Sequence, residues 1–248
     1  MDNLFDAVEN IAILSFMSKN VDYSNCQIKN VPMIKSDGIT MVGEFFRRIS
    51  NNDKKVFSAL KRYIYSMKET PWVDGAMIVS QNDVRVLVPT QNNVFSTSIL
   101  VHECTHGLDM ESIIDLYCDD SHTEVLPFLN QFLFIDMLKE YYYDIDELQK
   151  SFMDHMIYNN LLYNANQYAN CADEENIDYD KICKHFKYLL GSLYSIVLYE
   201  WYQNDPDFIN NYSKIYTDNI GLDAFLNYYE VKLEDIDNIK LVKSLMKK

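Results

Sequence analysis

Residues 98 to 110 read Ser-Ile-Leu-Val-His-Glu-Cys-Thr-His-Gly-Leu-Asp-Met. His102, Glu103 and His106 stand at offsets 0, 1 and 4 inside an otherwise apolar, helix-like run. On an α-helix, positions four apart lie one turn above each other on the same face, so His102 and His106 can offer two imidazole nitrogens to one metal ion. Glu103 sits about 100° around the axis. That offset aims its carboxylate at a metal-bound water, where it can take a proton as the water attacks a carbonyl. Zn²⁺ is the expected ion, because it lowers the pKa of its water to about 7 and so makes a nucleophile available at neutral pH. By chance, this five-residue pattern arises in a chain of this composition with a probability of roughly one in a hundred to two hundred. Here it also falls within a predicted helix, directly after a predicted hairpin.

A catalytic zinc needs a third protein ligand and an open fourth position. The metzincin continuation is excluded, because Asp109 stands where its glycine belongs and Ser112 where its last ligand belongs. The downstream candidates are Glu111, Asp115, Asp119, Asp120, His122 and Glu124. Glu111 and Asp115 share the motif helix but lie off the histidine face or too far along it. Asp119, Asp120 and His122 fall in a turn, where polar residues need no special explanation. Glu124 opens the next helical run, TEVLPFLNQFLF, which is expected to pack antiparallel to the motif helix. Helix geometry prefers it only modestly, since its first turn reaches the zinc only if the intervening chain rearranges. Asp109, three residues past His106, is either a support for an imidazole or a solvated acid. Cys104 reads as a small buried thiol. His155 and the acidic run at 173–180 read as surface and inter-helix loop.

Two further stretches carry a resemblance. Residues 121 to 131, SHTEVLPFLNQ, resemble the second-helix motif of the oligoendopeptidase F and thimet oligopeptidase family, in which a zinc-binding Glu begins the helix and an Asn follows six positions on. The resemblance implies that Glu124 is the third ligand. It departs from the family in a shorter spacing between His106 and Glu124, consistent with a trimmed inter-helix loop, and in Gln131 at a position commonly acidic. Residues 184 to 195, KHFKYLLGSLYS, are similar to the family's aromatic helix, whose Tyr side chains stabilise the oxyanion of the tetrahedral intermediate. On that likeness Tyr188 matches one such Tyr and His185 takes the place of another, and both side chains can donate a hydrogen bond to developing charge. A buried Tyr188 is as ordinary a reading, because the chain has 19 tyrosines. The resemblance spans about 75–200, and the chain is much shorter than most of the family.

The elements that must position these residues are expected to be mostly helical. Six Gly and five Pro in 248 residues leave little material for turns, and the Leu, Ile, Met, Lys and Glu content favours long helices. Apolar spacing predicts helices near 2–19, over 40–68 with a break at 50–53, and near 97–117, 122–142, 144–170, 178–203 and 207–217, with shorter pieces to the end. Residues 21–37 read as a loop. One hairpin stands out, Ala76 to Val79 and Val84 to Val88 around a Ser-Gln-Asn-Asp turn. Its second strand is the expected sheet edge for pairing with a peptide main chain. No linker or repeat divides the chain, so a single domain over 1–248 is expected: N-terminal helices to residue 70, a catalytic core over 75–200 and C-terminal helices after it.

The formal charge of −15 argues against nucleic acid and anionic membrane surfaces as partners. Five cysteines without a CxxC pair argue against a disulfide framework and fit reduced thiols in the cytoplasm. The N-terminus lacks the basic start of a secretory signal, and no segment approaches the roughly 18 apolar residues a membrane span needs. The expected protein is a mainly α, gluzincin-like zinc metallopeptidase acting on peptides, with His102, His106 and Glu124 on Zn²⁺, Glu103 as base, and Tyr188 and His185 at the oxyanion. The alternatives are a protease dedicated to one protein or precursor peptide, and a helical regulatory protein that uses zinc structurally.

Overall fold

The computed structural model describes residues 2–19, 21, 27–71, 75–80, 83–113, 120–142, 144–172, 178–218 and 220–246, which form a mainly helical fold with one small sheet. Three helices precede the sheet: α1 (Asp2–Ser18), α2 (Lys35–Ile49) and α3 (Lys54–Tyr65). Asp53 caps α3, its carboxylate accepting from the Lys55 and Val56 backbone N–H groups at 2.7 and 3.0 Å. Asn51 and Asn52, both at positive φ, make the break between α2 and α3 that the Asn-Asn-Asp cluster predicts. The loop expected over 21–37 ends early, because α2 already starts at Lys35.

The sheet has three strands, β1 (Met67–Thr70), β2 (Ala76–Ser80) and β3 (Asp83–Pro89), in the order β1-β3-β2. The expected hairpin is present as the antiparallel pair β2 and β3, in which Met77 lies opposite Val86. Two expectations are corrected. The helical pattern predicted to run to residue 68 stops at Tyr65, and Met67–Thr70 becomes a strand through parallel pairing with Val86–Pro89. Val84 to Val88 is therefore the middle strand rather than an edge. The edge beside the motif helix is β2. Four residues such as Met-Lys-Glu-Thr carry no decisive local preference, so the partner strand decides their conformation.

The motif helix α4 (Val94–Met110) is capped by Asn93, whose side chain accepts from the Ser96 N–H at 2.7 Å. It is buried almost all round, with Leu100, Val101, Cys104, Thr105 and Leu108 at 4% exposure or less. The sheet, α2 and α3 cover part of it, and α5 (Val125–Met137) covers the rest. Beyond α5 lie a short 3₁₀ turn, α6 (Ile145–His155), a π-helical segment (Met156–Leu162), α7 (Tyr163–Ala172) and the long α8 (Tyr179–Asn204). The single helix expected over 144–170 is thus interrupted by a wider turn. Helices α9 (Phe208–Thr217), α10 (Leu222–Tyr228) and α11 (Ile236–Leu245) complete the chain. Among the described residues no helix is long and apolar enough to cross a membrane.

A buried polar network fixes α4, α5 and α9 in register. The Asn130 amide on α5 donates to Thr105 Oγ1 of α4 at 2.8 Å and to the Tyr216 hydroxyl of α9 at 2.9 Å, and its oxygen accepts from the Tyr212 hydroxyl at 2.6 Å. Asn130, Thr105 and Tyr212 have no solvent exposure. Asn130→Leu strands three buried polar groups and is expected to cost about 2–4 kcal/mol of stability in chemical denaturation. A loss below about 1 kcal/mol would show that the network does not hold these helices together.

Candidate metal centre

Three side chains from two helices converge. His102 and His106 project from α4, one turn apart, and Glu124 stands at the cap position immediately before α5. His106 Nε2 lies 3.1 Å from His102 Nε2, and Glu124 Oε2 lies 3.3 and 3.4 Å from the two nitrogens. Bonds of about 2.0–2.1 Å from a tetrahedral zinc separate its ligand atoms by roughly 3.3–3.4 Å, so the three atoms are spaced as three corners of such a site. Among the described residues this is the group of His, Cys and acidic side chains that could hold a metal ion. All three side chains are at most 15% exposed. Glu124 Oε2 is buried with no partner of good hydrogen-bond geometry, its nearest polar neighbours being the two imidazole nitrogens at 3.3 and 3.4 Å.

The surroundings orient two of the three candidate ligands, His102 and Glu124. The Ser98 hydroxyl donates to the Phe95 carbonyl at 2.8 Å and accepts from the Gln131 amide nitrogen at 3.1 Å. That bond turns the Gln131 oxygen towards His102 Nδ1, 3.1 Å away. The network therefore assigns the proton of His102 to Nδ1 and the lone pair to Nε2, the atom facing Glu124. Glu124 is held from the opposite side by α8, where Gly191 leaves no room for a side chain: an added Cβ would fall 2.4 Å from Glu124 Cβ. Burial alone would raise the Glu124 pKa, but the adjoining imidazoles of His102 and His106 overcome it and hold the carboxyl well below the usual range. For His102 burial acts the other way, and the Glu124 carboxylate overcomes it to raise the imidazole pKa.

Glu103 points to a different neighbourhood. It is 6% exposed and packs against Gly75 at the entry to β2, where a Cβ would fall 2.8 Å from Glu103 Oε1. It accepts a hydrogen bond from the Met77 backbone N–H of the same strand. Burial holds its carboxyl above the ordinary range, against the pull of the two histidines. Glu103 and His102 open onto a cleft of about 140 Å³, whose walls include Gly75, Phe128, His155, Asn160 and Tyr188.

Of the residues expected at the oxyanion, Tyr188 lines this cleft, with its ring 6.1 Å from Phe128. His185 is not among the lining residues. Its Nδ1 lies 2.8 Å from the Asn164 side-chain oxygen on α7, and burial together with Lys184 and Lys181 lowers its pKa. Glu111 is committed elsewhere, to Arg62 at 2.8 Å and to the Tyr63 hydroxyl. His122 stacks on Tyr194 with ring centroids 5.6 Å apart. Asp115, Asp119 and the side chain of Asp120 lie outside the described residues, as does the acidic run at 173–177. Asp109 is half-buried, and Cys104 is fully buried.

His155, expected from the sequence to be a surface residue, and Asn160, which the sequence did not single out, both line the cleft. In an α-helix they would diverge by about 140°. The π-helical turn starting at Met156 closes i→i+5 hydrogen bonds and brings both onto the cleft, a geometry that a 3.6-residue period conceals.

Gln131→Leu is expected to lower zinc affinity about 10- to 100-fold in competition with a chromophoric chelator, with the helical circular dichroism unchanged. Gly191→Ala should act in the same direction by displacing Glu124. Unaltered affinity in both variants would remove Gln131 and Gly191 from any role in holding the centre. Comparison with protein families, with curated proteins and with solved structures gives no match to this chain.

Proposed function

We propose that this protein is a zinc-dependent peptidase of gluzincin-like design, in which His102, His106 and Glu124 hold the metal and Glu103 is the general base. The observation that carries the reading is the spacing of three candidate ligand atoms at 3.1, 3.3 and 3.4 Å with a buried carboxylate, Glu103, next to His102 in the helix. A site used only for structure needs no such carboxylate beside it. When bound, zinc would supply Lewis acidity and lower the pKa of a water towards about 7.

The chain's own groups divide the remaining work. Glu103 Oε accepts the proton released as the water attacks the peptide carbonyl carbon, and its raised pKa brings it closer to neutral pH, where a base is most effective. The same carboxyl then carries that proton to the departing amide nitrogen as the C–N bond breaks. The Tyr188 hydroxyl, on the cleft wall, is the donor for the negative charge gathering on the former carbonyl oxygen. Peptide substrates are favoured over other amides by β2, an edge strand next to Glu103 whose main chain is able to pair with an extended backbone. The chain's net charge of −15 speaks against nucleic acid as a partner.

Zinc-loaded protein is expected to cut members of a mixed peptide library, and removal of the metal by a chelator should stop it. Glu103→Gln should keep stoichiometric zinc while losing roughly 10²- to 10⁴-fold in kcat/KM. Cleavage at the wild-type rate by that variant would sink the assignment. Tyr188→Phe should lower kcat about 10²- to 10³-fold with little change in KM, and an unchanged kcat would place the oxyanion donor elsewhere.

A further inference from the structure

A second cavity, of about 480 Å³, lies beside the candidate metal centre. Glu124 and Tyr188 line it, and Tyr188 is common to both cavities, so the two are neighbours across one side chain. Among the described residues its remaining walls include Lys184 and Lys187 of α8 and one further acid, Asp180. Neither lysine makes an ion pair among the described residues. In a chain with 37 acidic and 22 basic side chains, the described lining of this cavity holds two lysines against two acids, so the chain's excess of negative charge is absent from these walls. Of the two acids, Glu124 lies against the imidazoles of His102 and His106 at 3.3 and 3.4 Å.

We propose that this cavity is a subsite for a carboxylate of the peptide substrate, with Lys184 and Lys187 supplying the attraction. The inference rests on the peptidase reading and adds a substrate class to it: peptides with a carboxylate on the Tyr188 side of the scissile bond. That carboxylate is either the free C-terminus or an Asp or Glu side chain. Ammonium groups on flexible stems recognise either as a point charge without demanding one geometry.

The test uses the full zinc-loaded protein and three matched peptides cut at the same bond: one with a free C-terminus, its C-terminal amide, and the amide carrying Glu in place of Gln near the bond. One of the two acidic peptides is expected to exceed the neutral amide roughly five- to tenfold in kcat/KM at low salt, less at high salt. The winner identifies the source of the carboxylate. The preference should vanish in the Lys184→Ala/Lys187→Ala double variant and persist in Lys184→Arg/Lys187→Arg. Equal rates for all three peptides, or a preference that survives the double Ala change, overturns the subsite while leaving the peptidase reading intact. Calorimetric titration of the same peptides into Glu103→Gln separates the two ideas. If wild-type protein cuts nothing but the variant binds the acidic peptides more tightly in a lysine-dependent way, the peptidase reading fails and the subsite stands. Binding without that discrimination, or no binding of any peptide, overturns the subsite.

Discussion

The structure depends on keeping one carboxylate and two imidazoles close together away from water. Burying an ionised carboxylate costs several kcal/mol unless partners compensate. Here Glu124 meets His102 and His106 at 3.3 and 3.4 Å while one buried oxygen stays without a hydrogen bond. Such an arrangement survives only if the elements carrying it cannot relax apart. Three features prevent that: Asn130 ties α4, α5 and α9 together, Gly191 lets α8 close on Glu124, and the Ser98–Gln131 pair fixes the His102 ring.

That rigidity also separates two carboxylates that differ in surroundings more than in distance along the chain. Glu124 sits between imidazoles and is held ionised. Glu103 sits against the backbone of an edge strand with its pKa raised by burial. Two acids pushed apart in this way can serve different purposes within one site, which is the division of roles proposed for Glu124 and Glu103.

Charge adds a second contrast. A net charge of −15 acts on long-range encounter and by itself favours cationic partners. The immediate surroundings of the centre differ, because Lys184 and Lys187 line a cavity adjoining Glu124. Net charge is a sum over the whole surface and says little about a cavity a few side chains wide. Only the way α8 lies across the start of α5 puts those lysines there.

From residues alone, the helical class, the hairpin and the pairing of His102 with His106 were legible, because each rests on short-range periodicity: period 3.6 for α4, alternation for β2 and β3, and an i,i+4 repeat for the ligands. The helix over 178–203 was read to within a residue of α8 for the same reason. Tertiary contacts decided the rest. Met67–Thr70 became a strand only because β3 was available to pair, which in turn moved Val84–Val88 from the edge to the middle. His155 and Asn160 share a wall because a π-helical turn changes their phase. Among six downstream candidates, local spacing preferred Glu124 only modestly. Its place beside the histidines comes from the docking of α5 on α4 and the gap that Gly191 leaves in α8, long-range contacts that no local period encodes.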